Sequence, residues 1–75
     1  DVYKIVENAL SNKEGVKDVK SIKIISIGTE KYLGIVKVDY LDSFTDLEII
    51  NLNKTIEDSI KTIDSRFLHL YLIPA

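Results

Sequence analysis

The 75-residue chain contains no cysteine, methionine or tryptophan, and it has only one proline, one histidine and one arginine. Without cysteine, neither a disulfide nor a thiolate metal site can brace the fold. A chain of this length buries only about 60% of the surface that its unfolded form exposes, so its stability is marginal. We therefore expect association with a second copy to supply part of the stability.

The chain also lacks a strong charge of either sign and a long apolar run. Its formal net charge is -2 and its pI is about 5.2, which disfavours nucleic acid as a partner. The loose basic run of Lys13, Lys17, Lys20 and Lys23 is typical of a solvated loop and strand edge. No apolar run reaches the ~18 residues of a membrane span, and no signal peptide is visible. This stretch is therefore not expected to insert into a membrane.

The chain has few of the groups that catalysis requires. The single histidine has no serine-and-carboxylate arrangement near it in the sequence, and there is no thiol nucleophile. Gly28 and Gly34 are isolated and form no phosphate-binding loop. An acylphosphatase-like enzyme would need an arginine in an N-terminal loop, whereas the only arginine is Arg66. We predict that the chain is not an enzyme.

Apolar periodicity and turn residues divide the chain into five elements. The predicted elements are a helix over 2–12, strands over Val19–Ile27 and Tyr32–Tyr40, a helix over 45–64 and a strand over Arg66–Pro74. Because a strand–helix–strand unit favours a right-handed crossover, the last two strands should be parallel neighbours. The order predicts an α+β, α-β-β-α-β two-layer sandwich of ferredoxin-like or metallochaperone-like type, with a three-stranded sheet and two helices on one face.

The second helix has the clearest markers. Thr45 and Glu48 have the spacing of a capping box, in which each side chain binds a backbone N–H near the other residue. An apolar stripe follows at helical spacing, and it consists of Leu52, Ile56, Ile60 and Ile63.

The closing strand is apolar on both of its faces, which is unusual for a sheet covered on one side only. Alternation places Val36, Val38, Tyr40, Leu68, Leu70 and Leu72 under the helices. The same alternation places Ile35, Lys37, Phe67, His69, Tyr71 and Ile73 on the open face. A contiguous apolar surface of this kind is rare on a soluble monomer, so we predict a two-fold dimer with these six residues at its interface.

Two residues are candidate metal ligands. His69 is a good ligand type, and either its counterpart across a two-fold axis or Asp39 on the neighbouring strand could join it, but a zinc site needs three or four ligands. The alternatives are an interfacial histidine packed against Phe67 and Tyr71, and an aspartate that serves a turn.

Several stretches, in order along nearly the whole chain, resemble those of one family. They are Glu14–Val19 and Ile27–Gly28 around the first strand, Val36–Asp39 in the second, Asp42–Ile50 and Ile56–Ile60 around the second helix, and Leu70–Pro74 in the closing strand. The chain resembles the C-terminal cytosolic domain of cation diffusion facilitators, the efflux transporters of divalent cations.

The resemblance implies a dimerising and regulatory module at the cytoplasmic face of the cell membrane, attached to a membrane domain of the same parent chain. Because the chain begins at Asp1 without methionine and enters a helix at once, we expect residues 1–75 to be one domain excised from that transporter. Such domains often bind regulatory zinc. The family's usual histidine positions correspond here to Lys37, Ile50 and Tyr71, and an ammonium at Lys37 would repel a cation placed beside it. We therefore expect no required cofactor and weak or absent zinc binding.

A second hypothesis assigns the chain to the ferredoxin-like regulatory domains that sense a small ligand and homodimerise. That function would need a glycine-rich loop at the first strand–helix junction and a polar cleft at the subunit interface.

Overall fold

Two helices and three strands follow one another in the order α-β-β-α-β, as the sequence predicts. The structure is a computed structural model that describes residues 1–75. Its elements are α1 (Val2–Leu10), β1 (Val16–Ser26), β2 (Tyr32–Tyr40), α2 (Asp46–Ile63) and β3 (Phe67–Pro74). No helix combines the length and the apolar character needed to span a bilayer.

The three strands form one mixed sheet in the order β1-β2-β3. β1 and β2 pair antiparallel as a hairpin, and β2 and β3 pair parallel because α2 carries the chain back to the start of the sheet. Central strand β2 aligns Leu33 with His69 and Ile35 with Tyr71. The parallel pairing predicted for the last two strands is confirmed.

The core lies between one face of the sheet and the two helices. It consists of Val6 and Leu10 from α1, Ile56 and Ile60 from α2, and Val36, Val38, Tyr40, Phe67 and Leu70 from the sheet. The Tyr40 hydroxyl donates to Asn53 Oδ1 on α2 at 2.5 Å, so the polar end of this buried ring has a partner. Gly34 lies directly beneath Leu70, where a Cβ would collide with the leucine side chain.

The helix ends follow local hydrogen bonding. The Thr45 hydroxyl accepts from Glu48 N–H at 3.2 Å, and a Glu48 carboxylate oxygen accepts from Thr45 N–H at 2.9 Å, which confirms the capping box. Helix α1 ends at Leu10 rather than near residue 12, because Asn12 has a left-handed backbone with φ of 68°. Ile63, predicted to lie in the apolar stripe, is instead exposed at the last residue of α2.

Strand β1 begins three residues before the predicted position. Val16 already pairs with Tyr40, and Leu41 N–H donates to Gly15 O at 2.9 Å, so the hairpin ladder extends back to Val16. Two register shifts follow, between Val16 and Asp18 and between Val19 and Ser21, and each leaves one extra residue on β1.

Strand β3 does not keep a single alternation, and two predicted positions are wrong for this reason. Phe67, predicted on the open face, is 2% exposed and belongs to the core, whereas Leu68, predicted in the core, is 38% exposed. Phe67 pairs with Tyr32 and His69 pairs with Leu33, so Leu68 is an extra residue that reverses the alternation. Beyond it, His69, Tyr71 and Ile73 face outward as predicted.

Candidate functional site

The face of the sheet turned away from the helices, which we name the open face, is covered by no other part of the chain. Its residues follow from the strand register and form three rows across the sheet: Ile25, Leu33 and His69; Lys23, Ile35 and Tyr71; and Ser21, Lys37 and Ile73. Asp18 and Asp39 form a fourth row at the far end. A three-stranded sheet with helices on one side leaves this surface available to a partner.

Apolar side chains run diagonally across the open face. Leu33 and Ile35 are half-buried in the centre, while Tyr71 and Ile73 on β3 are 51% and 41% exposed. The rings of His69 and Tyr71 stack with centroids 6.0 Å apart and an interplanar angle of 30°. The histidine therefore lies beside an aromatic neighbour on an apolar surface, in an environment typical of an interface.

Charged side chains occupy the end of the open face that lies away from His69, and also its β1 side. Lys37 is exposed on β2 one row from Asp39. On β1, Lys20 Nζ lies 3.1 Å from Asp18 Oδ2, and this hydrogen bond lowers the pKa of Asp18 and raises that of Lys20. Charges of both signs beside an apolar centre resemble the polar rim of an interface.

The two candidate metal ligands lie far apart within one subunit. His69 is level with Leu33, and Asp39 is six residues further along β2, about 20 Å away at the rise of a strand. No three histidine, aspartate or glutamate side chains come together in a group that could hold a metal ion. Lys37 and Tyr71 lie in neighbouring rows of the open face, where they offer an ammonium and a phenol. The residues present therefore do not fit a zinc site within one chain.

A groove of about 610 Å³ follows the outer edge of β3, where the open face meets α2. Its lining residues are Ile35 and Leu70–Ile73 from the sheet and Ile50, Asn53, Lys54 and Glu57 from α2. Ile50, exposed on the first turns of α2, extends the apolar surface beyond the six residues predicted from sequence, and Leu47 is exposed one turn before it. The sequence does indicate that these side chains point away from the core, because they lie outside the apolar stripe of the helix.

A second groove of about 630 Å³ separates α1 from β1. Its lining is mixed: Glu7, Asn8, Ser11 and Lys17 are among its polar residues, and Leu10, Val19 and Ile22 are among its apolar ones. The first strand–helix junction lies between β2 and α2, and residues 41–45 contain no glycine. The loop required by the ligand-sensing hypothesis is therefore missing from that position.

Comparison with solved structures finds the same architecture over nearly the whole chain. A triple variant of the MamM CTD is 14% identical to this chain, covers 99% of it and 89% of its own length, and superposes with a TM-score of 0.84. A single-site variant is 12% identical, with coverages of 99% and 89% and a TM-score of 0.85. A zinc form is 12% identical, with coverages of 99% and 80% and a TM-score of 0.84.

Comparison of the sequence finds no matching protein-family model and no matching curated protein. The identities to the solved structures are low, so their likeness to this chain is one of fold. The chain has the α-β-β-α-β, metallochaperone-like fold of the MamM CTD structures.

Proposed function

We propose that residues 1–75 are a non-catalytic, cytosolic dimerisation and regulatory domain of a divalent-cation efflux transporter of the cation diffusion facilitator family. The observation that carries the proposal is the agreement in fold with MamM CTD, a C-terminal domain of that family, over 99% of the chain. The ordered set of family-like stretches in the sequence supports it independently. The domain would lie at the cytoplasmic face of the cell membrane, attached to the membrane domain of its own parent chain.

Dimerisation is the activity that the open face supports best. Leu33, Ile35, Tyr71 and Ile73 form an apolar centre that the chain's own helices do not cover. Burying such side chains against a second copy would remove apolar surface from water, at about 25 cal/mol per Å². Ile50 on α2 adjoins this centre across the groove, so a second copy can contact both the centre and Ile50.

The family resemblance implies a regulatory metal bound by this domain, whereas we propose that the domain dimerises without one. MamM CTD structures include zinc, nickel and copper forms. In this chain the usual ligand positions are Lys37, Ile50 and Tyr71, and His69 and Asp39 lie at opposite ends of the open face. The divalent cation is accordingly the cargo of the parent transporter, and packing of apolar side chains holds the two cytosolic domains together.

Sedimentation velocity on a matched pair of variants tests this role. Tyr71→Asp places a carboxylate in the proposed interface, and Tyr3→Asp makes the same change at an exposed tyrosine on α1. An unpaired charge buried at an interface costs several kcal/mol, so Tyr71→Asp should weaken the dimer by at least ~100-fold. Tyr3→Asp should dimerise like the native chain.

Circular dichroism on both variants shows whether each remains folded. Equal dimerisation by folded Tyr71→Asp and Tyr3→Asp would mean that the open face is not the interface.

A further inference from the structure

Strand β3 lies at an edge of the sheet, and one side of its backbone has no strand partner. Ala75 N–H donates to Val38 O at 2.9 Å, so the odd-numbered residues of this part of β3 face β2. Backbone groups alternate in direction along a strand, and those of Leu70, Leu72 and Pro74 therefore point outward. An outward row of this kind is a template for pairing with another chain.

The composition of β3 makes this edge unusually favourable for strand addition. Phe67–Ile73 contains no acidic residue, no lysine or arginine, no glycine and no proline, and five of its seven residues are phenylalanine, leucine or isoleucine. Segments of six or seven residues with this character pair readily with copies of themselves. A second copy of β3, antiparallel to the first, is therefore the occupant that fits the edge.

The opposite edge of the sheet is protected by its own side chains. Strand β1 carries Lys17, Asp18, Lys20 and Lys23, and it has two register shifts. Charged residues and bulges are the usual means of discouraging strand addition at an edge. Strand β3 has no charged residue between Phe67 and Ile73, and its one register shift, at Leu68, lies before Leu70 and Leu72. Protection of that later stretch must therefore come from another element.

Helix α2 supplies a blocking group at the middle of β3. Glu57 Oε2 accepts a hydrogen bond from Leu70 N–H at 3.2 Å and lies 3.6 Å from Lys61 Nζ. Pro74, at the end of the strand, has no N–H to offer. Leu72 is then the only outward residue between Leu70 and Pro74 with a free N–H.

We infer that Glu57 closes the edge of β3 against strand addition by a second copy of this chain. The carboxylate occupies the outward N–H of Leu70, in the middle of the uncharged segment, on the side of β3 where an incoming strand would pair. This role is separate from the dimer of the open face, since it concerns the edge of the sheet and operates in a monomer or a dimer.

Hydrogen exchange of the Leu70 amide gives the direct test. Glu57→Ala removes the acceptor, whereas Glu57→Gln keeps an oxygen that can accept the same bond. At low protein concentration the Leu70 amide should exchange at least ~10-fold faster in Glu57→Ala than in the native chain, and Glu57→Gln should stay close to native. Unchanged exchange in Glu57→Ala would overturn the inference.

Assembly at higher concentration gives the second readout. Glu57→Ala should form species larger than the native assembly, with increased thioflavin fluorescence, at about a tenfold lower protein concentration than native. Ile60→Val, which destabilises the core without touching the edge, is the matched control and should not assemble. In Glu57→Ala the outward N–H groups of both Leu70 and Leu72 are free. Adding Leu72→Pro removes one of the two and interrupts pairing along the edge, so assembly should fall to the native level.

Assembly by Ile60→Val to the same extent as Glu57→Ala would overturn the inference, because general destabilisation would then be the cause. Persistent assembly in a folded Glu57→Ala, Leu72→Pro double variant would overturn it as well. If the double variant does not fold, the exchange rate of the Leu70 amide in Glu57→Ala decides whether the inference stands. Because assembly is scored against the native species, the result is independent of whether the native chain is a dimer.

Discussion

Asp64 is the residue that joins three elements at one corner of the fold. It is the C-cap of α2, and its Oδ1 accepts from Arg66 N–H at 3.0 Å and from Arg66 Nε at 2.9 Å. The guanidinium also lies over the Tyr32 ring, 5.3 Å from its centroid. The side chain of Asp64 is only 10% exposed, so this ion pair fixes the end of α2 and the start of β3 against the beginning of β2.

The ion pair predicts a change of stability in acid. Hydrogen bonds from Arg66 lower the pKa of Asp64 to about 2, compared with about 3.9 in an unfolded chain. A depressed carboxyl pKa stabilises the fold fully above the unfolded value, and this contribution is lost as the pH falls from about 4 to 2. Urea unfolding at pH 7, 4 and 2.5 should show a smaller loss of stability in Asp64→Asn than in the native chain.

Asp18 and Glu48 also have lowered pKa values, so the native chain and Asp64→Asn should both lose some stability in acid. The difference between the two pH profiles belongs to Asp64. Parallel profiles would show that this ion pair contributes nothing to the free energy of unfolding.

At the scale of elements, β3 connects the core to the open face, and a single extra residue determines how it does so. The register shift at Leu68 lets Phe67 enter the core beside Tyr32, with ring centroids 5.7 Å apart, while Tyr71 and Ile73 remain outside. One strand thus contributes an aromatic anchor to its own subunit and apolar side chains to the surface.

This arrangement predicts that truncating two neighbouring side chains will lower the free energy of unfolding by very different amounts. Phe67→Ala should lower the free energy of unfolding by about 3–5 kcal/mol, the usual cost of removing a buried phenylalanine. Leu68→Ala should cost less than about 1 kcal/mol, because its side chain is partly exposed. Chemical denaturation of both variants measures the difference. Similar costs, or a larger cost for Leu68→Ala, would contradict the register described for β3.

The elements differ in how far sequence alone could predict them. The bounds of β2 and the capping box of α2 were predictable, because alternation and the Thr45–Glu48 spacing are local signals. The burial of Phe67 was not, since alternation identifies a face only while the register is unbroken, and the shift at Leu68 arises from pairing with β2. The start of β1 at Val16 likewise depends on the length of its partner strand.

At the scale of the whole molecule, the two faces of the sheet have different surroundings. One face of the sheet is covered by both helices, and the other displays an apolar centre with a charged rim. Sequence correctly indicated the open face through the two-sided apolar character of β3. The sequence did not predict that Ile50 lies beside the open face. Helix periodicity shows which residues turn away from the core, but not which surface they adjoin.

The distance between His69 and Asp39 also emerges only from the folded sheet. Both residues lie on neighbouring strands, but the parallel register places them at opposite ends, about 20 Å apart. We therefore propose that two copies meet at the open face and that metal is not needed to hold them together.

The most direct test is sedimentation equilibrium of the native chain over a range of concentrations, once with a chelator and once with added zinc. The account predicts a reversible dimer with the same dissociation constant, within about twofold, in both conditions, since apolar packing has no metal dependence. A monomer at every concentration, or a dimer that forms only when zinc is present, would contradict it.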